Sequence, residues 1–304
     1  HVKPVYYETI DGKFRPLSEV SSHYGNRRID LISGWEDKMS LPYLRWLLRR
    51  MELINGKVSI PYPLIGLRHI REGQEIFLTT STFYPDPNVE TTSVDGIVAR
   101  SGQTEAFSTL RGGAGDGVGD ADVNSYLFYI QNRTTSADTW QTIYRSIFLF
   151  DTSSLPDTDS ISLATLSFYA TAKAENAMTG TTVSIVKAVP ASNVALVASD
   201  YNIANWTMTQ HNNSDIAIAD ITLSAYNDFA LNATGLSNIS KTGITKFGGV
   251  SGFDRTNTAP TWSSSSQYAY VQVDFADQTG TTTDPKLVVV HSAVVAFTPQ
   301  IIII

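Results

Sequence analysis

Residues 145–156 read RSIFLFDTSSLP: an arginine, a dense run of apolar β-formers, then a polar turn stopped by proline. A second run, SISLATLSFYAT, follows at 160–171. Strand, Pro-stopped turn and strand in so little chain is the unit from which stacked antiparallel sheets are built. From about Val94 onward the same grammar repeats, with short Val/Ile/Tyr/Thr runs divided by Gly, Asn, Asp, Ser and Pro. Strands are expected near 125–131, 143–150, 160–171, 182–188, 215–223, 226–231, 245–247, 268–275 and 286–291, which predicts a jelly-roll-like antiparallel β-sandwich. No fixed internal period stands out, against a solenoid or propeller.

Working outward, residues 85–93, PDPNVETTS, carry two prolines and little apolar content and read as a linker. The charge balance switches beside it: the first 84 residues hold 12 Lys/Arg against 9 Asp/Glu, the remainder 10 against 20. The predicted organisation is a mainly β chain with a small α+β attachment or adaptor domain over 1–84, the linker, the sandwich over 94–292 and an apolar tail over 293–304. Within 1–84, Asp11-Gly12 is a hairpin turn between Tyr/Ile/Phe-rich arms. Ser40 then precedes LPYLRWLLRRMEL, an amphipathic helix over about 41–53 with Leu44, Leu47, Leu48 and Met51 on its apolar stripe. Arg45, Arg49 and Arg50 lie away from that stripe, either as a solvated face or as a dock for an acidic neighbouring subunit. Glu72-Gly73 joins two further β-like arms.

Composition narrows the classes. Of 304 residues 42% are hydrophobic and only 17% charged, enough to fill a core beneath a neutral surface rich in hydroxyls. Cysteine is absent, which excludes disulfides, zinc thiolate sites and Cys nucleophiles. No run of about twenty apolar residues exists, so no membrane-spanning helix is expected. An acidic sandwich is a poor partner for nucleic acid, whose phosphates demand clustered Lys and Arg. The chain opens HVKPVYY, with neither Met nor a leader pattern, so a processed start or one lacking its first residues is expected.

Three pieces, RSIFLFDTSSLP, DSISLATLSFYATA and the closing DPKLVVVHS, resemble the extracellular β-sandwich family called DNRLRE or disaggregatase-related domains, relatives of some carbohydrate-binding modules. The likeness covers roughly 94–292 and is carried by Arg145, Phe150, Asp151, Leu155, Pro156, Ile161, Ala164, Leu166, Tyr169, Pro285, Lys286 and Leu287. Those motif residues are structural. The segments NVALVASDY, AYNDFALNATGLSNISKTGITKFG and FADQTGTTTDPKLVV are similar to a subtype found in tailed-phage virion proteins and in surface proteins of microbes. That likeness implies a particle-embedded or adaptor segment carrying a displayed sandwich.

Several groups are candidates for chemistry. In GDGVGDADVN, Asp116, Asp120, Asp122 and Asn124 offer oxygen ligands to calcium, although the spacing is not that of an EF-hand and Asx/Gly clusters commonly serve as turns. Trp140, Trp206 and Trp262, with Tyr126, Tyr129 and Tyr268, would stack on sugar rings if their faces are exposed; core packing is the alternative. Acid pairs for glycoside hydrolysis are not singled out by any motif, and His1, His23, His69, His211 and His291 show no metal spacing or Ser/Asp partner motif, so no catalytic residue is assigned. Asn132, Asn205, Asn212, Asn232 and Asn238 begin N-x-S/T sequons. After KLVVVHS the chain continues AVVAFTPQIIII; uncharged and β-prone, it is expected to pair with another subunit through Ile301, Ile302, Ile303 and Ile304 or to fold back on its own domain.

The expected function is therefore that of a non-enzymatic structural protein on the surface of a phage or virus-like particle, of tail-fibre or capsid-decoration type, whose partners are copies of itself and other virion proteins. The alternative is a secreted or cell-surface carbohydrate-binding or adhesive module, or a subunit of an extracellular filament, with host-surface glycan as partner. No cofactor is expected apart from calcium at the acidic loop.

Overall fold

The computed structural model describes residues 6–8, 14–16, 75–263 and 266–295. The chain divides into two compact units, His1–Glu72 and Gly73–Ile304. In the first, β1 (Tyr6–Glu8) pairs antiparallel with β2 (Phe14–Pro16), the two arms that flank Asp11-Gly12. The helix expected at 41–53, with Arg45, Arg49 and Arg50, lies outside the described residues, as do Ile301, Ile302, Ile303 and Ile304.

The second unit is mainly β. Its strands are β3 (Glu75–Phe83), β4 (Asp95–Arg100), β5 (Gly117–Gly119), β6 (Asn124–Asn132), β7 (Thr142–Asp151), β8 (Ser160–Asn176), β9 (Thr182–Ala188), β10 (Trp206–Thr207), β11 (Ile216–Ala217), β12 (Ala225–Ala230), β13 (Ile244–Ser251), β14 (Gln267–Asp274) and β15 (Lys286–Val295). They form one antiparallel sheet of 13 strands whose main path runs β10-β9-β13-β7-β6-β14-β8-β15-β3. Off this path β12 pairs with β8, β11 with β9, β4 with β7, and β5 with β4. Three short helices interrupt it: α1 (Phe107–Gly112), α2 (Ala233–Ser237) and α3 (Gly252–Thr256). No helix among the described residues is long and apolar enough to cross a membrane.

The stretch at 145–156 forms as its residues dictate. In β7, residues 145–150 are all buried, because both faces of this central strand are covered. That is why the sequence is a dense apolar run and not an alternation. Phe148 stacks on Phe275 at 5.4 Å and meets Phe168 at 4.5 Å, and Phe168 passes the contact to Phe229 at 5.8 Å. Each such ring contributes about 1.5–3 kcal/mol by leaving water. The turn is then closed by its own polar groups: Ser153 N–H donates to Asp151 Oδ1 at 3.0 Å, Leu155 N–H to the Thr152 carbonyl at 3.1 Å, and the Thr152 hydroxyl to the Ser240 carbonyl at 2.7 Å.

The boundary between units differs from the sequence expectation. Residues 75–83, assigned there to the N-terminal part, form β3, which pairs with β15 from Leu287↔Phe83 to Val295↔Glu75. Residues 85–93 are thus a loop inside the second unit. Asp86 organises it, one carboxylate oxygen accepting the N–H of Thr91 at 3.1 Å and of Thr92 at 2.7 Å together with both hydroxyls. A linker and a crossing loop share the same composition, and only the pairing partner tells them apart. The same pairing extends the last strand to Val295, so residues 293–295 belong to the sheet of their own unit.

Candidate functional site

β6, β7 and β14 gather five tyrosines on one outward face. Along β14, Ala269, Val271 and Val273 point into the core while Tyr268, Tyr270 and Gln272 alternate outward. On β6 the register shifts so that Val271 faces Phe128 and Gln272 faces Tyr126, leaving Leu127 as an extra residue. This bulge brings Tyr126 and Tyr129, three residues apart, to the same side, where they stack at 4.9 Å and 16°. Tyr144 of β7, paired with Tyr129, meets Tyr126 edge-on at 5.4 Å. Tyr270 meets Tyr126 at 5.5 Å and Tyr129 at 5.9 Å, and Tyr268 stacks against Tyr270 at 6.1 Å. The result is one continuous aromatic surface, each ring half-buried by its neighbours.

The positions flanking it in register are small: Ala174 faces Tyr270 from β8, Ala99 faces Tyr144 from β4, and Gly117 faces Ala99 from β5. The hydroxyls of Tyr201 and Tyr226 are spent on backbone carbonyls, whereas none of the five phenols donates to another described residue. Burial, foremost, pushes Tyr129 up to about 12 and raises Tyr144, so these two phenols stay neutral donors and acceptors. Charge enters at the margins, with Asp116 and Asp122 acting on Tyr144 and Arg133 on Tyr129. Tyr129 is the centre of the face, flanked in register by Tyr270 and Tyr144; Gln131, 7% exposed, lies at one end, facing Tyr268 and Thr142 across its two strand partners. Its amide nitrogen Nε2 is buried with no hydrogen-bond partner. A continuous face of half-buried rings, with phenol hydroxyls free of described partners, is equipped to take a flat, hydroxylated ligand.

The tryptophans expected to stack on sugars sit elsewhere. Trp140, 1% exposed, packs edge-on against Phe107 at 5.9 Å. Trp206, 7% exposed, donates its indole N–H to the Asp200 carbonyl at 2.9 Å and lies against Gly248, where a Cβ would come within 2.3 Å of its ring. Both rings are core, so neither presents a face. Trp262 is half-buried, with its indole nitrogen buried and unpartnered. Tyr126, Tyr129 and Tyr268 are on the platform; Tyr144 and Tyr270 complete it.

The acidic loop is likewise dispersed. Asp116 accepts the Ser101 N–H at 2.9 Å and the Gln103 amide at 3.1 Å. Asp120 accepts the Leu196 N–H at 2.9 Å. Asp122 leans on Gly119, where a Cβ would lie 2.5 Å from its carboxylate. Asn124 turns its amide nitrogen, not its oxygen, to Thr171, Val273 and Asp274. Asp116, Asp120 and Asn124 are used locally, and among the described residues no three acidic groups gather round one point.

Two polar clusters inside the unit are scaffold. Arg145, the first residue of the RSIFLFD run, is wholly buried: its Nε and Nη2 grip Asp254 at 2.7 and 3.1 Å, Nη1 donates to the Tyr201 carbonyl at 2.5 Å, and Nη2 to the Arg111 carbonyl at 2.8 Å. The guanidinium lies 4.1 Å from the Tyr201 ring centre. Asp254, presented by the first turn of α3, also pairs with Arg111 at 3.1 Å. At the other cluster His291 holds Asp159 through Nδ1 at 2.6 Å and Ser81 through Nε2 at 2.9 Å. This chain ties β3 to β15 and to the start of β8 at the rim of the core. Comparison with known proteins finds no matching protein-family model and no matching curated protein.

Proposed function

We propose that the chain is a non-catalytic, surface-displayed binding protein whose second unit, a jelly-roll-like sandwich similar to the disaggregatase-related carbohydrate-binding domains, takes a neutral oligosaccharide on its tyrosine face. The observation that carries this reading is the run of five contiguous half-buried rings whose hydroxyls are free of described partners. Apolar sugar faces bury area against aromatic rings while rim hydroxyls reach amides and phenols. Asp116 and Asp122 at the margin oppose anionic sugars, so neutral ones are favoured. Single-site affinity would be low and copy number would raise it.

Glycan-array screening followed by calorimetry with the best neutral oligosaccharide tests this. Tyr129→Ala and Tyr270→Ala should each weaken binding by about fivefold or more, the loss of one ring contact of order 1 kcal/mol or more. Unchanged affinity in both variants sinks the reading.

The second reading is the structural one, a phage or virus-like particle subunit joined to copies of itself. It is favoured by β3, which ends the strand order with an outer edge that no other described strand pairs. Deleting residues 298–304 should then shift the sedimentation coefficient of the native assembly to that of a smaller species; an unchanged profile removes it.

A further inference from the structure

Among the described residues, five strands of the second unit pair with one neighbour only: β3, β5, β10, β11 and β12. A bare strand edge offers its unpaired N–H and C=O groups to any other chain, and proteins blunt such edges by shortness, charge, proline or bulges. Four of the five are blunted in this way. β10 and β11 have two residues each, and β5 has three with glycine at both ends. β12, six residues long, carries the exposed Asp228 near its middle.

β3 is the exception. It runs for nine residues, EIFLTTSTF, and pairs with β15 at nine consecutive positions without a register shift. Glu75 stands at its first position; from 76 to 83 there is no charge, proline or glycine, and β-branched and aromatic residues dominate. Leu78, 47% exposed, shares a sheet face with Thr80 and, across β15, with Val290 and Leu163, the last 64% exposed. A long, regular, neutral edge beside exposed leucines has the character of a contact surface.

We propose that two copies of the chain join by antiparallel pairing of β3 with β3 about a two-fold axis at Thr79, an inference that rests on the second reading above, in which copies of the chain assemble. Thr79 is the midpoint of Glu75–Phe83, so this register overlaps the two strands over their full length. Position 75 then faces 83, 76 faces 82, 77 faces 81, 78 faces 80 and 79 faces itself. The two Glu75 carboxylates come to opposite ends, Thr79 forms a Thr–Thr pair, and the two Leu78 side chains become diagonal neighbours that cover one another. Charge favours this edge over the rest of the surface: residues 85–304 hold 10 Lys/Arg against 20 Asp/Glu, so like charges meet in most other orientations of two copies and none meet along 76–83. The contact is isologous and uses up both open edges. It leaves the two-residue β10 at each end of the merged strand order, so strand addition stops at the dimer.

The test is sedimentation velocity on the full chain between about 1 and 100 μM, where a homodimer of micromolar Kd should dissociate on dilution. Thr79→Lys sets like charges face to face on the axis and should raise the dimer Kd about tenfold or more. Because the chain has no cysteine, Thr79→Cys places a single thiol there. Residues directly opposite in an antiparallel pair have Cβ atoms about 5 Å apart, so a short bis-maleimide should link most of this variant into dimer. Val89→Cys, at an 84% exposed position in the loop at 85–93, should stay monomeric under the same treatment. The thiol variant also serves if Thr79→Lys fails to fold. Equal linking of the two thiol variants overturns the proposal. So does association that survives Thr79→Lys but is lost on deleting 298–304, a result that leaves the second reading standing; a chain that is monomeric throughout the range removes both.

Discussion

Asp254 and Asp284 are both buried aspartates of the second unit, and they live under opposite rules. Asp254 faces two guanidiniums, one of them wholly buried, with each oxygen in a charge-assisted bond. Asp284 faces only carboxylates and has one oxygen without any partner. Burial is therefore not itself the cost; what matters is whether the folded chain supplies the counter-charge. Around Asp254 it does, and the cluster is scaffold. Around Asp284 it does not, which makes that end responsive to protons.

The largest expected effect breaks the satisfied side. Arg145→Met leaves Asp254 with Arg111 alone and should cost about 3–5 kcal/mol in unfolding by denaturant. Adding Asp254→Leu should recover much of that loss, because the stranded charge goes with it; a double variant as unstable as the single one would mean that packing, not charge, dominates there. A smaller effect sharpens the unsatisfied side. Asp284 binds its proton more tightly when folded, at about 7 against 3.8, so its contribution is present below 3.8 and is lost as pH rises toward 7. The stability difference between parent and Asp284→Asn should change by about 1–3 kcal/mol between pH 4 and 7.5, after allowance for solvent screening, in the direction that favours the variant at high pH. Asp86 runs the other way: burial raises it, but the hydrogen bonds from Thr91 and Thr92 outweigh burial and bring it to about 2, so its contribution is lost only below 3.8. The two carboxylates thus titrate in separate windows.

Much of the sheet was legible because local chemistry and tertiary partner agree. The runs at 143–150, 160–171 and 182–188 coincide with β7, β8 and β9. The strand at 75–83 was readable as β but not as part of this sheet, since its partner is more than two hundred residues away. β4 and the three short helices escaped notice, having few residues each and little period to show. The platform was half legible. Of the aromatics named from the sequence, Trp140 and Trp206 are core while Tyr126, Tyr129 and Tyr268 lie on the face; the alternation in QYAYVQVD also points outward at Tyr270 and is the better signal. The Tyr126–Tyr129 stack depends on a one-residue bulge that no residue type announces. The isolation of Asp284 was beyond reach for a related reason: a missing partner is a property of the assembled end, not of the DQTGTTTD segment.

The position of β3 bears on colloidal behaviour. Without it, the margin of the sheet would be β15, whose KLVVVHSAVV is rich in valine and ready to template further strands. With it, the margin is EIFLTTSTF, where Thr79, Thr80 and Thr82 are exposed and Ser81 is tied inward to His291. The outer edge that remains, hydroxyl-rich but carrying the exposed Leu78, is a weaker template than the valine-rich strand it covers. A protein cut for expression at the proline-rich stretch of 85–93 would discard that screen, whereas one cut at Gly73 would keep it.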